Sequence, residues 1–357
     1  METLTKEQVL QSIKVVKDPD LGRDIVSLGM VKEIAIEGGK VSVQVELTTP
    51  ACPLKEIIKE DVRKAVAAIQ GVKEVSVVMS ANVRRGPSLL VKETAPTGIK
   101  NVIAVASGKG GVGKSTVCVN LAIALAQTGA SVGLMDADIY GPNVPLMMGI
   151  PSDKRPSVTE DEKIIPIEAY GLKVISMGLL VPPETPMVWR GPMLHSAVTQ
   201  FLQKVDWGEL DYLMVDLPPG TGDVQLSLVQ TVSVTGAVIV TTPQEVALMD
   251  ARKGIAMFQK TNVPILGVVE NMSAFICSHC GEETPIFSEG GGKRVAEKLN
   301  VPFLGAIPID PRIRQGGDEG KPIVISHSDS PAAKQFVQAA GVLAQQVSIA
   351  VLGGPVA

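Results

Sequence analysis

Cysteine is scarce: four residues in 357 are too few for a disulfide framework, so the chain is read as one that works in a reducing compartment. Aromatic side chains make up only 3% of the sequence, and no aromatic stripe marks a groove for a partner chain. An excess of basic charge is also missing. With 33 Lys and Arg against 37 Asp and Glu the formal net charge is -4, which excludes the overall basic footprint that neutralises nucleic-acid phosphates. No run reaches about 18 uninterrupted apolar residues, so the sequence predicts no bilayer span. Met1 to Glu7 has neither the basic and apolar layout of a signal peptide nor the Arg-rich, acid-poor character of a transit peptide, and a cytoplasmic location is expected.

What is present is ample apolar material, 45% of residues, in a chain long enough for two domains. The first 91 residues read as a small α+β unit. A helix is expected near Lys6 to Val16, then strands Met30 to Ile36 and Lys40 to Leu47 paired as a hairpin through Gly38-Gly39. Pro53 can open a helix in which Ile57, Ile58, Val62, Val66 and Ile69 recur at helical spacing, and Glu74 to Met79 is a third strand. Residues 92–99 are polar, with Pro96 and Gly98, and form the expected linker. A second domain is expected over 100–350, with 351–357 as a tail.

Beyond the linker, apolar runs of strand length alternate with helical stretches: Asn101 to Ser107, Ser131 to Asp136, Asp211 to Leu217, Gly236 to Thr241, Ile265 to Val269 and Phe303 to Ile307. That grammar predicts an α/β domain with a mainly parallel sheet covered by helices on both faces. In such sheets ligands bind beyond the carboxyl ends of the strands. Gly108, Asp136, Asp138, Asp216, Asn271 and Pro308 all fall at or just past the ends of such runs, so one site can draw on all of them.

Gly108-Lys109-Gly110-Gly111-Val112-Gly113-Lys114-Ser115-Thr116 satisfies G-x-x-x-x-G-K-[ST] between an expected strand and an expected helix from Lys114 to about Thr128. The pattern identifies a P-loop NTPase. Glycines let backbone N–H groups wrap a phosphate, the helix N-terminus adds positive potential, and Lys114 can set its ammonium on the outer phosphates. Ser115 is the expected Mg²⁺ ligand. Cys118 falls on the buried face of that helix and is read as a core residue.

Lys109, directly after the first glycine, carries a resemblance to the deviant Walker-A ATPases, which include MinD, ParA, the nitrogenase iron protein and the Mrp/ApbC carriers. The resemblance implies that Lys109 reaches across an ATP sandwich dimer to the partner's nucleotide. Asp136-Ala137-Asp138-Ile139-Tyr140-Gly141-Pro142-Asn143 and Asp216-Leu217-Pro218-Pro219-Gly220-Thr221-Gly222-Asp223 resemble that family's switch segments. By the same resemblance Asp138 orients the attacking water, Asp136 and Asp216 hold the Mg²⁺ shell, the Gly220 amide senses the γ-phosphate, and Asn271 contacts adenine.

Cys277-Ser278-His279-Cys280-Gly281 follows shortly after Asn271. Two thiolates spaced by two residues make half of a soft metal site, whereas zinc sites and iron-sulfur clusters use four ligands. Two copies of the chain about a two-fold axis supply four. A redox pair and a zinc-bridged dimer are the alternatives, with His279 read as a polar neighbour. Together these motifs make residues 100–350 resemble the Mrp/ApbC iron-sulfur cluster carrier ATPases. The first ninety residues resemble the PaaD/SufT-type domain through Asp18-Pro19-Asp20, Val26-Ser27-Leu28-Gly29 and Thr48-Thr49-Pro50-Ala51-Cys52-Pro53. The resemblance implies ATP and Mg²⁺ as cofactors, a homodimer sharing a [4Fe-4S] cluster, and client apoproteins as partners. Cys52, just before a helix whose dipole favours a thiolate, is either a thiol that handles the cluster or contacts the client, or inert. The rival class is a positioning ATPase on membrane or DNA, whose membrane members end in a basic amphipathic helix. Residues 331–357 here hold one charge, Lys334, so neither a membrane nor a nucleic-acid partner is expected.

Overall fold

Val41, Val43, Val45 and Leu47 alternate with half-buried or exposed residues along β2 (Lys40–Leu47), the period-two pattern of a strand with one covered face. β2 is the middle of a three-stranded sheet, antiparallel to β1 (Val31–Glu37) and parallel to β3 (Glu74–Ala81). Helix α1 (Lys6–Ile13) begins with a capping box, Thr5 with Gln8. It covers the sheet together with α2 (Lys55–Ala67), burying Val9, Ile13, Ile58, Val62 and Val66 in a core of this unit's own. The computed structural model describes residues 4–19, 21–86, 98–139, 141–180, 191–220, 225, 234–277 and 279–353. The expected linker therefore lies outside the described residues except for Gly98 and Ile99, and Ile99 already belongs to the next strand.

All six apolar runs of the second region are strands: β4 (Ile99–Ser107), β5 (Val132–Asp136), β10 (Leu210–Asp216), β11 (Gly236–Thr241), β12 (Ile265–Ile276) and β14 (Phe303–Ile309). A two-residue hairpin, β6 (Ser157–Val158) with β7 (Ile164–Ile165), stands apart. β8 (Ile167–Ala169), β9 (Leu172–Ser176) and β13 (Glu283–Thr284) complete a nine-stranded sheet in the order β13-β12-β11-β4-β10-β5-β9-β8, with β14 also on β12. Only β8 and β13 run antiparallel to their neighbours; the ladders among the other strands are parallel. One face packs on α3 (Lys114–Gln127) and the helix Pro331–Leu352, the other on the helices Gly191–Lys204 and Glu245–Lys260. Every residue of α3 from Val117 to Leu125 is buried, the mark of a helix enclosed all round. Truncating one of its core side chains, Leu121→Ala for instance, removes about 2–5 kcal/mol.

Two expectations change here. β12 continues seven residues past Val269 because its end pairs with β13, so Asn271 sits inside a strand instead of at its end. Pro331–Leu352 is one 22-residue helix that includes Val351 and Leu352 of the expected tail, and by length and composition alone it could cross a membrane. Its Ala333, Phe336, Ala340 and Leu343 are buried in the core shared with α3. Lys334 and four glutamines interrupt its apolar residues, so it contains no uninterrupted apolar run of spanning length.

The N-terminal unit sits at the starting ends of the large sheet's strands. Tyr212, third in β10, donates its hydroxyl to Thr49 Oγ1 at 3.0 Å, and burial pushes its phenol pKa up. Asn101, third in β4, donates to the Arg84 carbonyl at 3.0 Å. Ala51 and Val83 join the core of the large sheet, and a Cβ on Gly341 would come within 3.4 Å of the Ala51 carbonyl. Cys52 is half-buried in a small recess lined also by Asp18, Thr49, Gln345 and Ser348, between the N-terminal unit and the last helix.

Candidate functional site

β4 delivers the chain to Gly108 at the carboxyl edge of the sheet. Gly108 is required by space: a Cβ there would lie 2.4 Å from the carbonyl oxygen of Asp250 in the helix Glu245–Lys260. Gly110 and Gly111 form an exposed turn, and Gly113 caps α3 with φ +81°. The Ser107 hydroxyl donates to the Lys109 carbonyl at 2.9 Å, and the Gly220 amide donates to the Ser107 carbonyl at 3.0 Å. Loop, first strand and second switch are thus bound together. Thr116 accepts from Asn120 one helical turn on.

Lys114 is buried and its ammonium lies 2.6 Å from Asp216 Oδ1 and 3.3 Å from the Ser115 hydroxyl. Asp136 is one strand over in register with Asp216. Its Oδ1 accepts the Asp138 N–H at 3.1 Å and its Oδ2 accepts the Ser176 hydroxyl at 2.9 Å. Burial, then the repulsion of Asp216, push its pKa up to about 8. Asp216 Oδ2 is buried with no hydrogen-bond partner among the described residues. Two adjacent carboxylates, one repelled by the other and one with an orphaned oxygen, beside a hydroxyl are a donor set that fits Mg²⁺, which takes one or two carboxylates plus phosphate oxygens. Asp138 is half-buried and receives the Gly141 N–H at 3.3 Å. Thr221 to Asp223 lie outside the described residues.

Asn271, the expected adenine contact, lies beside the phosphate loop. Its side-chain amide donates to the Val112 carbonyl at 2.9 Å, inside the phosphate loop, and is buried there. Ser176, at the end of β9, was not singled out by the sequence. It is fully buried and accepts the Gly178 N–H while donating to Asp136. Nor was Glu270, whose buried carboxylate accepts the Gly292 N–H at the start of the helix Gly291–Lys298. Neither matches a motif; only pairing with strands distant in sequence gives them a role.

The cysteine loop is a hairpin. Phe275 pairs with Thr284 and Ile276 with Glu283; Cys277 N–H donates to the Glu282 carbonyl at 3.0 Å and Gly281 N–H to the Cys277 carbonyl at 2.9 Å. The backbone N–H groups of Cys280 and His279, with the Cys280 thiol, hold the Cys277 pKa below the ordinary thiol range. Cys280 is exposed and Cys277 half-buried. Among the described residues no three His, Cys, Asp or Glu side chains converge on one metal position, so each hairpin offers two thiolates. Cys118 is fully buried, which pushes its thiol pKa well up, and it is a core residue as expected.

A profile of NUBPL iron-transfer P-loop NTPases matches residues 98–344, and a profile of iron-sulfur cluster assembly proteins matches residues 6–77. The chain belongs to the NUBPL-type iron-transfer P-loop NTPases. It is 49% identical over 98% of its length to an iron-sulfur cluster carrier protein of Synechocystis, covering 99% of that protein. The carrier of Deinococcus radiodurans is 51% identical, with 97% of each chain covered. Among solved structures, a nucleotide-binding protein of Archaeoglobus fulgidus in complex with ADP superposes with a TM-score of 0.58 at 39% identity, over 66% of this chain and 91% of that one. The cell division ATPase MinD of Pyrococcus furiosus gives 0.51 at 27% identity, over 68% and 97%. This NTPase is thus a MinD/ParA-type fold carrying a cysteine hairpin and a small N-terminal unit.

Proposed function

We propose that the chain binds and hydrolyses ATP and carries an iron-sulfur cluster, [4Fe-4S], held between two copies and passed to client apoproteins in the cytoplasm. The observation that carries this reading is the hairpin: two thiols, one with N–H groups aimed at its sulfur, stand in the turn just past the strand that also touches the phosphate loop. Two such hairpins supply the four thiolates a cluster takes. The relatives named as cluster carriers over nearly the whole chain support the cargo, and the ADP-bound relative supports the nucleotide.

Gly108 to Thr116 cradle the phosphates, with Lys114 leaving Asp216 to reach them. Ser115, Asp136 and Asp216 would hold Mg²⁺, which would supply positive charge against the charge that develops on the phosphates. Asp138 orients the water that attacks the γ-phosphorus, the Gly220 amide leaves the Ser107 carbonyl to read that phosphate, and Lys109 serves the partner's nucleotide. The domains divide at 92–99, with residues 1–91 as an accessory unit and 100–350 as the ATPase. Anaerobic reconstitution with iron and sulfide, followed by absorption spectra and element counts, tests the cargo. The expected result is about four iron and four sulfide per two chains, lost in Cys277→Ala and Cys280→Ala and kept in Cys52→Ala. One zinc per two chains without sulfide, or full iron and sulfide on Cys280→Ala, would replace the cluster with a zinc bridge or another site.

A further inference from the structure

The seven residues from Asn271 to Cys277, the second half of β12 and the residue after it, are clamped at both ends. At one end Asn271 donates to the Val112 carbonyl, and the fit is so close that a Cβ on Gly113 would sit 2.2 Å from the Asn271 amide nitrogen. At the other end Cys277 closes the hairpin with Glu282. Between them Met272 adopts φ +57°, a left-handed conformation that costs a side-chain-bearing residue about 1–3 kcal/mol and persists where surrounding contacts impose it. The ladder to β14 shows what imposes it. Asn271 pairs with Ile307 but Phe275 pairs with Ile309, so four steps on β12 oppose two on β14, and the Ser273 hydroxyl pins the bulge to the Ile307 carbonyl at 3.1 Å.

A bulge of this kind has discrete registers, not a continuous range, and so can act as a two-state element. Binding a phosphate requires the Gly110 to Lys114 amides to converge on it. Turning the Val112–Gly113 peptide for that purpose moves the acceptor that Asn271 holds. We propose that Asn271 positions the phosphate loop, and that β12 from Asn271 through the Met272 bulge to Cys277 transmits nucleotide occupancy to the cysteine hairpin. Nucleotide binding then changes the access of solvent and partners to Cys277 and Cys280. The proposal rests on reading Gly108 to Thr116 as the nucleotide site, but not on the identity of the cargo.

The test uses the full chain without a cluster. Iodoacetamide labelling of Cys277 and Cys280, resolved by peptide mass, is followed with and without Mg-ADP, while ADP binding is titrated separately by fluorescence of a labelled analogue. Saturating ADP is expected to change the labelling rate of the hairpin thiols by about fivefold or more, the range of ordinary allosteric coupling. Asn271→Ala, measured at its own saturating ADP, is expected to abolish that difference, which loss of fold or of affinity alone would not do. Should Asn271→Ala bind no ADP at any concentration, Met272→Gly decides: it leaves the Asn271 contact in place but frees the bulge, and the difference should again vanish. ADP that binds the unaltered chain without altering labelling would overturn the link. So would a full difference in Asn271→Ala, or in Met272→Gly where that variant decides. An unaltered chain that binds no ADP would sink the nucleotide reading and the link together.

Discussion

Asp136 is held by two donors with different origins. The Asp138 N–H comes from its own loop, and the Ser176 hydroxyl from a strand forty residues on. The Ser176 bond favours the ionised carboxylate, against burial and the repulsion of Asp216, which together place its pKa near 8. Removing the hydroxyl raises that pKa further, so less Asp136 is ionised at neutral pH and, in the metal-holding role proposed for Asp136, it would offer Mg²⁺ a protonated oxygen. Ser176→Ala is therefore expected to need about tenfold more Mg²⁺ for half-maximal Mg-ADP binding at neutral pH, the scale on which partners of metal ligands act. The deficit should shrink as pH rises past the raised pKa and be absent in Ser176→Thr. Mg²⁺ titrations of labelled-ADP fluorescence across pH decide it, and a pH-independent deficit shared by Ser176→Thr would point to packing alone. Asp136 itself was legible because an acidic residue closes an apolar run before a loop. Ser176 was not, because its strand is five residues long with Lys173 within it, and nothing local reveals that β9 lies beside β5.

At the scale of the element, the phosphate loop was readable down to the residue, and its surroundings were not. Gly111 and Gly113 have nearly the same φ, +80° and +81°. A Cβ on Gly111 would point into open space, whereas one on Gly113 would collide with Asn271. Gly111→Ala should lose about 1 kcal/mol from backbone strain and keep ADP binding. Gly113→Ala should lose more and bind ADP poorly, because either the loop or β12 must shift. Thermal melts with ADP titrations compare the two; equal losses would mean that the Asn271 contact does not constrain the loop. The motif states that glycines are needed, but which neighbour each one admits depends on a strand some 160 positions away. The bulge at Met272 was equally hidden, since Glu-Asn-Met-Ser carries no glycine to announce a left-handed residue.

For the whole molecule, the alternation of apolar runs was enough for the covered parallel sheet, because burial on both faces leaves few polar residues inside the strands. The seam with the N-terminal unit could not be read, since Thr49 and Tyr212 are 163 positions apart and neither is unusual in its own segment. A chain beginning at Gly98 uncovers Tyr212 and the last helix around Gly341, yet leaves the carboxyl edge of the sheet intact. It is expected to fold and to bind ADP with the affinity of the full chain, at a lower melting temperature. Insolubility of that shorter chain, or weakened ADP binding, would mean that the N-terminal unit completes the ATPase core. β4 separates the two poles: from Asn101, where the N-terminal unit is attached, to Ser107, where the phosphate loop begins, is about 20 Å of strand. Two copies meeting hairpin to hairpin would therefore carry their N-terminal units outermost, giving a long particle with mass at its ends, one that tumbles slowly and leaves its waist as the place where a third protein can approach.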